Sequence, residues 1–332
     1  MRKLIAAMLA LSGLGLSWIR MDPPAADHRA VIRAWQVAVP SKCCTAGPLR
    51  LLGAWSLTSP NTVFGGYSAL VSTAPGELLA LSDRGYFVRF AKPGAALMVL
   101  QFGSTQPGSE KAKGSRDIEA AAWDPISRRL WLAQERRNAI ARYRPGLIRE
   151  TVRPIPEWRD WPGNYGPETI VRLHDGRFIV LCECRSSWLG EYRHPAYLYA
   201  SDPITAAPHA AFSFAGADGY RPTDAAELPD GRVLILMRRL VWPAPARFAI
   251  KVVIADPAEI VAGGIWRARE VARIAAPWPV DNYEGLTIER TADGALVAWI
   301  ISDDNQAASQ RTLLLKISID EARLPPKQKA PG

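Results

Sequence analysis

The sequence predicts an all-β protein, a β-propeller of five four-stranded blades, or six if an N-terminal stretch forms a degenerate one. Three observations predict it. Five segments share one layout, in which a strand and a tight turn lead into an apolar run ending in charge. The runs are LLALSDRG (78–85), LWLAQERR (130–137), FIVLCECR (178–185), VLILMRRL (233–240) and AWIISDDN (298–305). Turn signals precede them: Pro75-Gly76, Asp124-Pro125 with Ser127, Asp175-Gly176, Asp230-Gly231 and Asp293-Gly294. The repeats recur about every 48–60 residues, the period of four-stranded blades. Composition agrees: 12 Trp and 27 Pro in 332 residues suit strands and turns, and 48% hydrophobic residues supply a substantial core.

In chain order, Arg2 and Lys3 precede an apolar stretch, Leu4 to Ile19, which Arg20 and Asp22-Pro23-Pro24 end abruptly. Residues 1–24 therefore read as an export signal or an uncleaved N-terminal anchor. Either places the protein in the periplasm or outside the cell, with contact to the inner membrane only if the anchor stays. Residues 25–44 form a linker, 45–320 the propeller and 321–332 a polar tail. Leu49–Leu57 supplies the outer strand that the last repeat lacks, closing the ring and hiding a sheet edge. Third strands fall at Tyr86–Phe90, Ala139–Arg144, Ala196–Ala200, Phe248–Ala255 and Thr312–Ile319. Outer strands fall at Met98–Phe102, Glu150–Ile155, Ala211–Phe214 and Glu270–Ile274. Val31–Val39 is the stretch that would make a sixth blade, and a β-sandwich would not explain the period.

Cys43, Cys44, Cys182 and Cys184 fit an oxidising compartment, with one disulfide between the two groups. Their spacing is wrong for zinc. The net charge of +9 is dispersed, without a basic run interleaved with aromatics. It reads as a solvated surface with some arginines for anions, on a monomer that takes a small anionic or ester substrate and no nucleic acid.

The charges carry the functional signal. In a hairpin, residues equidistant from the turn lie opposite each other. Counting from the turns pairs Glu168 with Glu183, Asp224 with Arg238, Glu284 with Asp303, Ser68 with Asp83 and, roughly, Glu119 with Glu135. Every pair sits at the end away from the turn, and a propeller's first strands line its axis. The pairs should therefore meet at one mouth of the channel, with Asp117 and Asp304 adjacent. So many carboxylates need raised pKa values or counter-cations. Arg84, Arg136, Arg238 and Arg311 are available, and so is a hard cation such as Ca2+, which takes 6–8 oxygen ligands. Any single acid could be an ordinary strand-end ion pair. Recurrence at one hairpin position favours a shared site.

Other chemistries find no support. Ser68 in GGYSAL lacks the second glycine of a nucleophile elbow, so Gly65 and Gly66 read as close-packing residues. His28, His174, His194 and His209 have no metal spacing and nominate no serine–histidine relay. Walker, dinucleotide and HExxH motifs are absent.

Several segments stand out together: FGGYSAL (64–70) with LSDRG (81–85), RDIEAAAWD (116–124) with AQERRN (133–138), and GPETIVRLHDGR (166–177) with LCE (181–183). They continue with YRPTDAAELPDGRVLILMRR (220–239), NYEGLTIE (282–289), ISDDNQ (301–306) and QRTLLLK (310–316). Together they resemble the bacterial phytase-like family named for "esterase-like activity of phytase". The resemblance implies an exported hydrolase of phosphoesters or simple esters, with clustered carboxylates holding calcium. It implies Asp83, Asp117, Glu119, Glu183, Asp224, Asp303 and Asp304 as metal-holding residues, and Glu135, Glu168 and Glu284 as candidates for the general base. Arg84, Arg136, Arg238 and Arg311 would take phosphate oxygens. Arg238 departs from the pattern by replacing the acid found in the other four repeats. Two alternatives stand beside this reading: a non-catalytic propeller that binds a ligand or protein, and a metal-dependent lactonase or carboxylesterase.

Overall fold

The computed structural model describes residues 26–39, 44–93, 99–106, 117–163, 165–186, 191–241, 247–307 and 310–327. Residues 1–24, expected to be an export signal or anchor, and Cys43 lie outside the described residues. Strands β1 (Arg33–Gln36), β2 (Thr45–Ala46) and β3 (Leu49–Thr58) come first. Blade one is β4 (Tyr67–Ala74), β5 (Glu77–Ser82), β6 (Tyr86–Ala91) and β7 (Val99–Ser104). Blade two is β8 (Ile118–Asp124), β9 (Arg129–Gln134), β10 (Ala139–Arg144) and β11 (Ile148–Pro154). Blade three is β12 (Pro167–Arg172), β13 (Phe178–Cys182), β14 (His194–Tyr199) and β15 (His209–Ala215). Blade four is β16 (Arg221–Glu227), β17 (Val233–Val241), β18 (Arg247–Ala255) and, after the short β19 (Ile265–Arg267), β20 (Arg269–Ile274). Blade five is β21 (Tyr283–Arg290), β22 (Leu296–Ser302) and β23 (Thr312–Ile319), completed by β3.

The five blades form a ring because each second strand is apolar on both faces. Side chains alternate along a strand, so even and odd positions enter different interfaces. Leu78 and Ala80 of β5 pack with blade five, whereas Leu79 and Leu81 pack with blade two. Trp131 and Ala133 of β9 face blade three, Leu130 and Leu132 blade one. The same division holds in β13, β17 and β22, giving one core at each blade interface. A strand buried on both faces reads as an unbroken apolar run, which is how these segments stand out in the sequence. The innermost strands β4, β8, β12, β16 and β21 contact one another in that order, and β21 returns to β4.

Turn chemistry sets the hairpins. Gly76, Gly176, Gly231 and Gly294 adopt φ of +80°, +90°, +85° and +86°, a region that costs residues with a Cβ. In blade two, Arg128 takes this role at φ 53°.

The ring closes by pairing β23 with β3, from Thr312↔Leu57 to Ile319↔Leu49, as the sequence predicts. β1 then pairs β3, Arg33↔Thr58 to Gln36↔Trp55. The stretch that could have made a sixth blade is thus an added edge strand, and the blade count is five. Blade three also gains an edge strand: β19, from the connection between β18 and β20, pairs in parallel with β15.

Two expectations are corrected. The disulfide does not join the two cysteine groups; Cys182 and Cys184 pair with each other at the end of β13, and Cys44 packs against the core between blades four and five. The simple hairpin count also fails, by two residues in four blades and by three in blade four, because turn register and a bulge each shift it. Each inner strand carries a β-bulge, at Ser68, Glu119, Glu168, Thr223 and Glu284. A bulge adds one unpaired residue and re-aims its side chain.

Close approach at the axis depends on glycine. A Cβ on Gly285 would lie 2.8 Å from Leu70 N and 2.9 Å from Ala69 C, which are backbone atoms of blade one. Backbone cannot swing aside as a side chain can. Gly285→Ala is therefore expected to cost about 1–3 kcal/mol by overpacking, read as a lower urea midpoint. Gly163→Ala, where the added Cβ meets nothing within 4 Å, is the control and should change stability by less than about 0.5 kcal/mol. Equal midpoints for the two variants would contradict this account of ring closure.

Candidate functional site

The bulges build the site. In four blades the residue just past the second strand lies opposite the residue just before the first. Asp83 N donates to Gly66 O at 3.0 Å, Glu135 N to Asp117 O at 2.9 Å, Glu183 N to Gly166 O at 3.1 Å and Asp303 N to Asn282 O at 2.8 Å. In blade four Arg221 pairs with Arg238. The bulged Glu119, Glu168 and Glu284 stand next to this layer. One opening of the ring is therefore lined by Asp83, Asp117, Glu119, Glu135, Glu168, Glu183, Glu284 and Asp303, with Arg221 and Arg238 on one side.

Asp224 is not among them. The bulge falls at Thr223, so Asp224 shares its register position with Ala69, Ala120, Thr169 and Gly285. It is buried, and its carboxylate accepts from Leu286 N at 2.6 Å and Ala225 N at 2.8 Å, tying blade four to blade five. Burial raises its pKa well above the usual value, with the two backbone donors opposing. The two hydroxyl-bearing bulge residues do similar work. Ser68 Oγ donates to Ile118 O at 2.5 Å and Thr223 Oγ1 to Tyr283 O at 3.2 Å, each reaching the next blade. Ser68 is thus committed to packing.

The mouth has two unlike halves. On blades three to five, Arg238 donates through Nη1 to Asn282 Oδ1 and Glu284 Oε1, and through Nη2 to Glu183 Oε1 at 3.2 Å. Arg221 Nη1 lies 3.4 Å from Glu183 Oε2, and its guanidinium stacks 4.4 Å above the Tyr165 ring. Asn282 Nδ2 also donates to Glu284 Oε1 at 2.8 Å. The acids hold Arg238 charged, its pKa raised above the usual arginine value despite burial.

On blades one to three cations are scarce. Arg136 Nε binds Asp117 Oδ2 at 2.6 Å, but its side chain is 61% exposed. Glu135 Oε1 accepts from Gly166 N at 2.9 Å. Among the described residues, no hydrogen-bond donor or ion-pair partner reaches the Glu119 or Glu168 carboxylate. Burial, followed by repulsion from Glu168, Glu284, Glu135 and Asp83, pushes Glu119 well above the usual range. Glu168 rises through burial and the Glu183 charge. Burial and nearby acids push Glu135 up to about 7. Asp83, Glu284 and Asp303 are raised as well, burial again leading. Within this half one oxygen from each of Asp117, Glu119 and Glu135 lies within 4.8 Å of the others. An oxygen-only donor set of this kind, whose one protein cation among the described residues is the exposed Arg136 on Asp117, suits a hard divalent ion.

Other expected residues sit at the edges. Asp304 is saturated: Oδ1 accepts from Gly66 N and Gln306 N, each at 3.0 Å, and Oδ2 from Thr312 Oγ1 at 2.8 Å. A Cβ on Gly65 would meet Asp304 Oδ2 at 2.6 Å, and one on Gly66 would meet Asp83 Oδ1 at 2.7 Å. That is the structural reason for the glycine pair. Arg84 spans the carbonyls of Val63, Phe64 and Gly65 at 3.2–3.4 Å, with Asp83 at 4.0 Å. Arg311 is exposed; its backbone N–H donates to Asp281 Oδ2 at 3.2 Å, and its guanidinium forms no ion pair with the described acids. Sequence reasoning missed Arg221, Asp281 and Asn282. A register count that allowed for both the turn offset and the bulge would have placed Arg221 against Arg238 and Asn282 against Asp303.

The sequence profile of the phytase-like family, described as "esterase-like activity of phytase", matches residues 62–306. The chain belongs to that family. The matched span begins at the loop held by Arg84 and ends at Gln306, so it takes in every residue of the mouth. No curated protein matches this phytase-like chain. Among solved structures, similarity extends to an endo-arabinase from Bacteroides thetaiotaomicron VPI-5482 (10% identity, 77% of this chain and 95% of that one, TM-score 0.46). A luciferin-regenerating enzyme is similar at 11% identity (92% and 93% coverage, TM-score 0.43), and the WD40 β-propeller domain of Doa1 at 10% (83% and 99%, TM-score 0.40).

Proposed function

We propose that this phytase-like propeller is a metal-dependent hydrolase of phosphoesters or simple esters that works at the acidic half of its mouth. The observation that carries the reading is the convergence of Asp117, Glu119 and Glu135 oxygens within 4.8 Å, with no described donor or ion-pair partner on the carboxylates of Glu119 and the neighbouring Glu168. The family description, which names an esterase-like activity, supports the same chemistry.

Asp117, Glu119 and Glu135 would hold the ion, calcium by donor type, with Asp83 and Glu168 nearby. When bound, a hard divalent cation supplies electrophilic activation of a phosphoryl or carbonyl oxygen. Glu135 Oε1 is fixed by Gly166 N–H, which leaves Oε2 for the ion. Glu168, raised by burial and by Glu183, is the group placed to give a proton to a leaving oxygen. Arg221 and Arg238 stand opposite and would orient an anionic substrate; a neutral ester or lactone would not need them.

The saturation of Arg238 by Glu183, Glu284 and Asn282 favours a second reading, a binding propeller whose ion pairs are structural. Calorimetry separates the two. EDTA-treated protein should bind calcium, and Glu119→Gln and Glu135→Gln should each weaken binding at least tenfold. Asp293→Asn, on an exposed turn, should bind as wild type. Hydrolysis of p-nitrophenyl phosphate against p-nitrophenyl acetate then reports the substrate charge. Absence of calcium binding in the wild type would leave the binding propeller.

A further inference from the structure

The arginine half of the mouth is tied to a disulfide that the reaction does not use. Glu183 is the middle residue of Cys182-Glu183-Cys184, and the two flanking cysteines are bonded to each other. A cross-link over so few residues removes most of the backbone freedom of the residue it encloses. The flanking carbonyls also lie against one imidazole, which in its neutral form donates from a single nitrogen. Both Cys182 O and Cys184 O face His194 Nδ1, at 3.1 and 2.9 Å. His194 is fully buried, and its Nε2 faces Tyr220 O at 3.1 Å. Tyr220 immediately precedes Arg221. One imidazole thus spans the blade three segment that presents Glu183 and the blade four segment that presents Arg221. Glu183 closes the loop by contacting Arg221 through Oε2 and Arg238 through Oε1.

We propose that the Cys182–Cys184 disulfide, braced by His194, is a redox-controlled positioning element for Glu183, and that reducing it loosens the anion-binding arrangement of Arg221 and Arg238. The reductant is a dithiol. Its thiolate attacks one sulfur, the S–S bond breaks, and its second thiol resolves the mixed disulfide. Two electrons and two protons pass to Cys182 and Cys184, which become thiols, while the dithiol becomes a disulfide. Cys184, 7% exposed, is the more accessible sulfur; Cys182 is fully buried. Freed of the cross-link, Glu183 loses the fixed backbone from which it holds two guanidinium groups. His194 and the disulfide act through Glu183 and are positioning groups.

The inference rests on the reading of this half as the anion side. Its test uses full-length protein with inorganic phosphate and calcium as separate probes, before and after dithiothreitol, and in the Cys182→Ser/Cys184→Ser double variant. Phosphate affinity should fall at least tenfold on reduction and in the variant, and recover on reoxidation of the wild type. Calcium affinity, set on the opposite side, should stay within about twofold. Unchanged phosphate affinity in the reduced protein would overturn the proposal. Failure of the oxidised protein to bind phosphate would instead defeat the anion-site reading, and the Nε–H resonances of Arg221 and Arg238 would then decide. They move on reduction if the disulfide positions Glu183, and stay in place if it does not. Reversible reduction of the wild type keeps the test valid should the double variant not fold.

Discussion

Arg238→Met should lower the stability of the protein by about 3–5 kcal/mol at pH 8, the cost of removing one partner from a buried ion pair. Its side chain is 20% exposed, and those of Glu183 and Glu284 are 7% and 8% exposed. Without the guanidinium, Glu284 keeps only the neutral Asn282 as a partner among the described residues, and Glu183 keeps only the partly exposed Arg221. They can escape the penalty only by taking up protons, so the loss should shrink as the pH falls toward 5. The double variant Arg238→Met/Glu284→Gln should recover part of the loss, because it removes one of the stranded charges. Urea unfolding of the four proteins of this cycle at pH 5 and pH 8 checks both statements. A loss of less than about 1 kcal/mol at pH 8, as surface pairs give, would show that the arginine half of the mouth does not depend on this ion pair.

The metal-free protein should also become less stable as the pH rises from about 5 to about 8, the reverse of ordinary acid denaturation. The sign follows from proton linkage. The folded pKa of Glu135 is about 7 against an ordinary 4.5, so in this window the native state binds more protons than the unfolded chain, and stability falls with pH. The penalty for Glu135 alone is fully developed above pH 7 and amounts to about 3 kcal/mol. The raised values of Glu119, Glu168 and Asp303 add to it in the same direction. Acids held low by arginine, such as Glu150 and Asp230, lose their contribution only at lower pH and leave the window clear. Thermal unfolding in EDTA across this range measures the slope. Calcium in millimolar excess should flatten it by supplying the missing positive charge, and Glu135→Gln should flatten it in part. Stability that is level or rising with pH in EDTA would mean that the acidic half is neutralised by the protein itself.

The apolar runs from Leu78, Leu130, Phe178, Val233 and Leu296 were legible in the sequence because each is buried on both faces and must be apolar throughout. Their Asp-Gly turns were legible because a left-handed position selects glycine. The acids at their ends were legible because they recur at one distance from those turns. The bulges were not. An extra residue in Ser68, Glu119, Glu168, Thr223 or Glu284 leaves no compositional trace, since it is fixed by how the inner strands meet at the axis. That is why Asp224 looked like a member of the mouth and Arg221 did not.

The sequence by itself determined the blade repeat, the closure by Leu49–Leu57 and the charge of the second-strand ends, since all three follow from local periodicity and turn chemistry. Only the tertiary structure decided which acids face one another, that Arg238 and Arg221 neutralise one half of the mouth and leave Glu119 and Glu168 in the other without an ion-pair partner among the described residues, and that Cys182 pairs with Cys184. The physical reason is range. Strand pattern and turn type are set by neighbours in the chain, whereas charge compensation depends on side chains from different blades meeting across the axis.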